Sequence, residues 1–388
     1  MIPYGRQSID SHDIDAVVDV LKSDFLTQGP QVPKFERTLA AYCNAKHAVA
    51  VNSATSALHI ACLALELSAG DLLWTSPNSF VASANCGRYC GADIDFVDID
   101  PNSGNLSVAA LEKKLTIAKA NGRLPKVLVV VHFAGQPCDM REIHALCQPF
   151  AINIIEDASH AVGSEYQGVK TGSGQYSDIT IFSFHPVKII TSAEGGMALT
   201  NDPELAKRMS LFRSHGVTRD PELLQEEAPA PWYYEQQELG FNYRMTELQA
   251  ALGLSQMRHL DRWVEQRNLL AKRYQQAFSN TVIKYLPVSD DRLSAYHLFV
   301  ICLPDNLKLQ HQTIFEALRA ANIGVNLHYM PIHLQPYYQA LGFQVGDFPQ
   351  AESYATKAIS LPLYAELTTE AQDLVIETVT QLCEGEMQ

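Results

Sequence analysis

The sequence predicts an α/β protein: a large domain with a mainly parallel sheet covered by helices, then a smaller C-terminal α/β domain. Three observations carry that expectation. Short apolar runs alternate with helix-like segments through the first two-thirds of the chain. Some runs are nearly continuous, as in Lys126-Val-Leu-Val-Val-Val-His-Phe133, which suits a strand buried on both faces. After an acidic, proline- and aromatic-rich stretch around 218–237, the pattern becomes a long helical periodicity over 246–279.

The elements follow in order. His47-Ala-Val-Ala-Val51 reads as a strand and Ser56–Leu63 as the helix after it. Asp71–Thr75 and Ile94–Asp98 read as strands, and the stretch from Val108 to Ala120 as a helix. Lys126–Phe133 is a strand, Met140–Cys147 a helix, and Ile152–Ile155 and Asp178–Phe184 two more strands. With right-handed crossovers as the default, these build one sheet. The tail returns to a strand at Ala295–Cys302 and helices at Gln312–Ala321 and Thr368–Cys383. The expected division is residues 1–250 and 251–388, and the 388-residue length suits one or two domains.

Bulk properties narrow the function. A net charge of -14 argues against nucleic acid, whose binding rests on basic patches, but leaves room for a small phosphorylated ligand held by a few donors. No apolar stretch is long enough to span a bilayer and no signal peptide opens the chain, so no membrane is expected and the location expected is cytoplasmic. The 8 cysteines form no Cys-x-x-Cys pair and read as reduced, structural side chains. No metal is expected. His328 and His333 flank Tyr-Met-Pro-Ile with no third ligand nearby, which favours loop histidines over a metal pair.

Four strand ends carry chemistry. Asn52-Ser-Ala-Thr-Ser56 runs from a strand straight into a helix, whose first amides can face a phosphate; an ordinary Ser N-cap gives the same pattern. Phe80, in Pro77-Asn-Ser-Phe80, is a ring for stacking on a flat ligand, or a core side chain. Glu156-Asp157-Ala-Ser-His160 puts two carboxylates where open α/β sheets bind ligands, and one could hold a pyridine nitrogen protonated; a helix-capping Asp is the plainer account. Ser183 and Lys188 follow the next strand. A lysine in apolar surroundings loses pKa and becomes a nucleophile, whereas a surface lysine would snorkel. In that order, the four ends suggest pyridoxal phosphate.

Asn52-Ser-Ala-Thr-Ser-Ala-Leu58, Glu156–Ala161, Ser183-Phe-His-Pro-Val-Lys188, Ala193-Glu-Gly-Gly196, Phe212–Gly216 and Gly240-Phe-Asn-Tyr-Arg-Met-Thr246 together resemble the StrS/DegT-type sugar aminotransferases, across nearly the whole chain. These are fold-type I pyridoxal-phosphate enzymes, which implies a seven-stranded, mainly parallel sheet in the large domain. The resemblance assigns roles. Lys188 would carry the coenzyme as an internal aldimine and act as base, and Asp157 would pair with the pyridine nitrogen. His160 would lie near the ring, Phe80 would stack on it, and Ala54, Thr55 and Ser183 would hold the phosphate. Asn242 matches a position reaching the phosphate in a neighbouring subunit, which implies a homodimer with shared sites.

The same resemblance puts sugar-nucleotide contacts at Tyr4, at Asp24, Phe25, Leu26 and Thr27, and at His328, Tyr329, Met330 and Pro331. Asp24-Phe25 departs from the basic or amide residue expected there. Arg213 and Arg244 are either anion ligands or salt-bridge residues. Within the family the match implies amino transfer from L-glutamate to C4 of a UDP-linked 4-keto-6-deoxy-N-acetylhexosamine, on the route to pseudaminic acid. Other readings are transfer to a dTDP- or GDP-linked ketosugar, and a non-catalytic regulator on the same scaffold. Sugar-dehydrating relatives carry histidine where this chain has Lys188, and a desulfurase would place its lysine directly beside the histidine, whereas two residues separate His185 and Lys188.

Overall fold

The computed structural model describes residues 1–385; residues 386–388, the end of the expected second domain, lie outside the described residues. Two helices come first, α1 (Ser11–Leu21) and α2 (Gln31–Cys43). Then strands and helices alternate: β1 (His47–Val51), α3 (Ala54–Ala64), β2 (Leu72–Thr75), α4 (Ala82–Tyr89), β3 (Asp93–Phe96), α5 (Val108–Ala120), β4 (Val127–Val131), α6 (Met140–Cys147) and β5 (Asn153–Asp157). β6 (Ile179–Ser183), β7 (Gly196–Thr200) and α7 (Pro203–Arg213) follow, then α8 (Glu247–Gln256) and α9 (Leu260–Phe278).

The seven strands form one sheet in the order β1-β7-β6-β5-β4-β2-β3. β3, β2, β4, β5 and β6 are parallel neighbours, while β7 pairs antiparallel with both β6 and β1. The parallel strands and β1 therefore end on the same side. β4, β5 and β6 are buried along most of their length, as their continuous apolar runs require. Alternation divides their side chains between the two faces: Ile155 packs with Val49, Ile181 and α3, while Ile154 packs with Leu128, Val130 and α6. Phe35 and Leu39 of α2 meet Phe182 and Phe184 beside Trp263 of α9, all buried. Truncating a buried phenylalanine such as Phe35 to alanine costs about 3–5 kcal/mol.

A second sheet has three strands, with β9 (Phe299–Cys302) between β8 (Lys284–Tyr285) and β10 (Ala358–Leu361). Its core includes Tyr274 of α9, Ile314 of the helix His311–Ala320 and Val375 of the helix Thr369–Glu384. The chain start joins this side. Ile2 bridges to Ile323, and the Leu363 amide donates to the Tyr4 carbonyl at 3.0 Å. That pairing carries Tyr4 to the cavity between the two sheets.

Two elements differ from the sequence pattern. The helical run over 246–279 is broken by a tight turn at Met257–His259, so α8 and α9 are separate helices. The strand expected from Ala295 begins only at Phe299, because Tyr296 has a left-handed φ of 44° that interrupts extended backbone. No helix among the described residues is long and apolar enough to cross a membrane.

Candidate active site

A cavity of about 830 Å³ opens beyond the ends of β1, β2, β4, β5 and β6. This is the side of an open α/β sheet where ligands bind, and each strand end delivers side chains or free amides. β1 ends at Val51 and the chain turns through Asn52 and Ser53 into α3. Ser53 is the N-cap: its hydroxyl accepts from the Ser56 amide at 3.1 Å, and the Ser56 hydroxyl donates to Asn52 Oδ1 at 2.7 Å. The amides of Ala54 and Thr55 have no acceptor among the described residues and face the cavity rim. A free helix N-terminus of this kind favours an anion. Gly196, at the start of β7, permits the close approach: a Cβ there would lie 2.5 Å from the Ala54 nitrogen.

β5 ends with two carboxylates whose side chains point to opposite faces of the sheet. Asp157 faces the cavity. Its Oδ2 accepts from Ser83 at 2.6 Å and its Oδ1 from Ser159 at 2.6 Å, while Ser79 and Ser83 are linked at 2.7 Å. Glu156 faces away and accepts from His132 Nε2 at 2.6 Å, from Thr180 at 3.1 Å and from Ser177. The Cys138 amide donates to His132 Nδ1 at 3.1 Å, so the proton of His132 sits on Nε2. Burial alone would raise the Glu156 carboxyl, but these hydrogen bonds hold it below its ordinary value. Glu156 is thus a framework carboxylate, and Asp157 is the one offered to a ligand.

β6 ends at Ser183. The chain then loops through His185 and Pro186 to Lys188, whose amide donates to the His185 carbonyl at 2.9 Å. Lys188 Nζ lies among protein atoms at the cavity wall. Burial pushes its amine down to about 8, and the Asp157 carboxylate partly opposes this. At neutral pH a useful fraction is therefore free amine.

His160, the residue after Ser159, is buried, and its Nε2 pairs with the Tyr329 hydroxyl at 3.1 Å. Burial, with help from the charge on Lys188, holds its pKa well below the ordinary histidine value. His328 pairs through Nδ1 with Ser360 at 2.8 Å, and burial lowers it to about 4. The Tyr4 ring lies 5.5 Å from that of His328. Phe80 is 59% exposed at the cavity mouth.

The structure therefore brings together Ala54, Thr55, Phe80, Asp157, His160, Ser183 and Lys188, with Tyr4, His328 and Tyr329. It leaves other expected residues outside the cavity of a single chain. Asp24, Phe25, Leu26 and Thr27 lie on an exposed loop tied to α8 by a Thr27–Thr246 bridge. Asn242 is exposed and bridges to Ser214, Met330 is exposed, and Pro331 is buried away from the cavity. Arg213 forms an ion pair with Glu36 at 2.5 Å, which is the structural alternative. His333 pairs with Glu352 at 2.9 Å and so does not join His328.

Sequence reasoning missed His297, Asn326 and Glu194, which also line the cavity, and Ser83, which holds Asp157. His297 sits just before β9, far in sequence from the four strand ends, and Ser83 on α4 is one small residue among several after Phe80; only the folded chain brings them in.

The donor set fits pyridoxal phosphate. Free amides face an anion, a carboxylate waits for a ring nitrogen, and an amine waits for an aldehyde. The buried His160 Nδ1 has no partner beside them.

Comparison with known proteins agrees. Residues 7–380 match the DegT/DnrJ/EryC1/StrS aminotransferase family. The chain is 37% identical over 385 residues to the UDP-4-amino-4,6-dideoxy-N-acetyl-beta-L-altrosamine transaminase of Campylobacter jejuni, covering 99% of this chain and 98% of that one. The structure of Helicobacter pylori PseC, an aminotransferase involved in the biosynthesis of pseudoaminic acid, is similar at a TM-score of 0.90 and 34% identity, covering 99% of this chain and 100% of that one. The pyridoxal-phosphate form of the putative sugar aminotransferase Spr1654 from Streptococcus pneumoniae matches at 0.89 and 29%, covering 99% and 98%. The chain belongs to the DegT/DnrJ/EryC1/StrS family and is a pyridoxal-phosphate-dependent sugar aminotransferase.

Proposed function

We propose that this family member transfers an amino group from L-glutamate to the C4 ketone of a UDP-linked 4-keto-6-deoxy-N-acetylhexosamine, in the cytoplasm, on the route to pseudaminic acid. One observation carries the catalytic half of the reading. A lysine with a depressed pKa and a carboxylate held by two serines line the same cavity, next to unengaged amides of α3. The acceptor half is supported by the likeness to the Campylobacter transaminase and to PseC.

Bound pyridoxal phosphate supplies an electron-accepting ring and an aldehyde that takes up the amino group. Lys188 Nζ is the amine that would hold that group at its aldehyde end. It then serves as the base that takes the proton from the donor Cα, and in the second half it manages the proton at the sugar's C4. Proton transfer by one positioned group contributes about 10²–10⁴-fold. Asp157 keeps the ring nitrogen charged, and Ser83 and Ser159 keep Asp157 in place. Ala54, Thr55 and Ser183 hold the phosphate, while Phe80 and His160 flank the ring. Tyr4, His328 and Tyr329 receive the sugar nucleotide.

The remaining assigned residues, Asp24 to Thr27, Met330, Pro331 and Asn242, are placed by this proposal at a site shared between two copies. Exposed apolar side chains support a homodimer: Phe25 is 52% exposed, Leu26 48%, Trp232 78% and Leu239 80%. Residues 1–250 carry the coenzyme and residues 251–388 complete the sugar side. The test loads the protein with coenzyme and glutamate, then offers UDP-, dTDP- and GDP-linked 4-ketosugars. Return of the aldehyde-form spectrum with the UDP sugar is expected. Return only with a dTDP or GDP sugar would move the acceptor to that class.

A further inference from the structure

The segment Ser294–Leu298 is gripped from two sides and carries a strained residue. Tyr296 has a φ of 44°, in the left-handed region that a bulky side chain rarely adopts. From α9, Arg267 donates to the carbonyls of Tyr296 at 3.2 Å and His297 at 3.4 Å, and Asn268 donates to that of Ser294 at 2.9 Å. Arg267 is only 2% exposed and has no carboxylate partner among the described residues; its third contact is the Leu363 carbonyl at 2.9 Å. On the other side, the Ala295 amide donates to Gly135 at 2.9 Å and the Leu298 amide to Ala134 at 3.2 Å. Gly135 follows β4 at a φ of 98°, and a Cβ there would lie 2.8–2.9 Å from the Tyr296 nitrogen, the His297 nitrogen and the His160 carbonyl. Strain of this kind persists where the surroundings over-determine it, and it clusters at functional sites.

The product of that clamp is the position of His297. Its ring lies 4.3 Å from that of His160, tilted by 43°. Both imidazoles are 5% exposed, both line the cavity wall, and each has a buried Nδ1 with no partner among the described residues. We propose that His297 is a positioning residue: clamped by Arg267 and the strained Tyr296 backbone, it fixes the plane of the His160 imidazole and excludes water from behind it. The proposal deepens the aminotransferase reading and rests on it for its kinetic consequence. Tyr329 holds the Nε2 edge of His160 and His297 backs its face, so the ring keeps one orientation while reactants exchange.

Charged or titratable groups around His160 are Lys188, Asp157, His297, His328 and Tyr329, with Arg267 behind His297. Burial comes first among the causes that keep His160 neutral, so water admitted behind it raises its pKa.

The titration uses protein with ¹³C-labelled histidine, in which His160→Gln identifies the His160 signal, and kcat is read on the coenzyme-loaded enzyme. His297→Ala is expected to raise the His160 pKa by about 1 unit and to lower kcat by about 10–100-fold, the scale of a sub-ångström to 1 Å misplacement. His297→Phe keeps a flat ring and is expected to stay near wild type in both readings. An unchanged His160 titration in His297→Ala, or a loss in His297→Phe as large as in His297→Ala, would overturn the proposal. Absence of any glutamate half-reaction in the wild type would instead sink the aminotransferase reading, and the titration comparison would still decide this one.

Discussion

The strand-end wall of the cavity and the residues Asp24 to Thr27 and Asn242, which lie on exposed loops, were given roles by the same family resemblance, yet one chain treats them differently. The wall is assembled within the chain: Ala54, Asp157, Ser183 and Lys188 meet because β1, β5 and β6 end on the same side of one sheet. The loops lie outside it, and their apolar side chains, among them Phe25, Trp232 and Leu239, face solvent. A sheet positions residues by register, which one chain can do alone. A loop residue is positioned by what it rests against, and for these loops the account requires a second copy.

The largest effect is expected on the wall. Lys188→Ala should abolish the glutamate half-reaction, with about 10²–10⁴-fold lost from proton transfer alone and the rest from lost coenzyme attachment, read by absorbance under single turnover. Full transamination by that variant would break the comparison outright. Next comes the pH dependence of coenzyme capture. The reactive form of Lys188 is the free amine, so the capture rate should climb as pH rises through about 8. Asp157 raises the Lys188 pKa, so in Asp157→Asn the climb should begin at lower pH. A capture rate that is flat with pH would remove Lys188 from the role.

The loops give a different kind of effect. Lys188→Ala subunits, inactive alone, and Asn242→Ala subunits, weakly active alone, should recover activity when mixed, because in a mixed dimer one shared site holds both intact residues. No recovery under conditions of proven subunit exchange would confine the site to one chain.

Two smaller effects concern stability. Burial lowers His328 to about 4 from its ordinary 6.5, so the unfolded chain binds the proton more tightly than the folded one. Stability is then full above about pH 6.5 and falls as pH drops toward 4. His160 and His297 act in the same direction. Urea midpoints at pH 7 and pH 5 test this, and equal values would contradict it. Glu156→Gln should cost about 1–3 kcal/mol by unbalancing the His132, Ser177 and Thr180 contacts, while kcat changes little. A collapse of kcat at unchanged stability would mean that the two adjacent carboxylates share one role.

Much of the wall was legible in the sequence because a strand end has a local signature. Apolar runs stop at Val51, Ile155 and Phe182, and polar residues follow at once. What the sequence hid has physical causes. β7, Gly196-Met-Ala-Leu-Thr200, lacks the β-branched run that marks β4 and β6. The single helical period over 246–279 gave no sign of the turn at Met257–His259, since no proline or glycine marks it. His297 was out of reach because its position depends on a left-handed Tyr296 and a buried Arg267, and backbone strain leaves no trace in composition. Ser83 looked like any small residue in a helix until its hydroxyl met Asp157.

The most direct test of the central claim is chemical. Protein loaded with pyridoxal phosphate is reduced with borohydride, digested, and its peptides are read by mass spectrometry. The account predicts one pyridoxyl-lysine, at position 188, and no labelled lysine in Lys188→Ala protein. A stable label on a different lysine, with Lys188 unmodified, would contradict it.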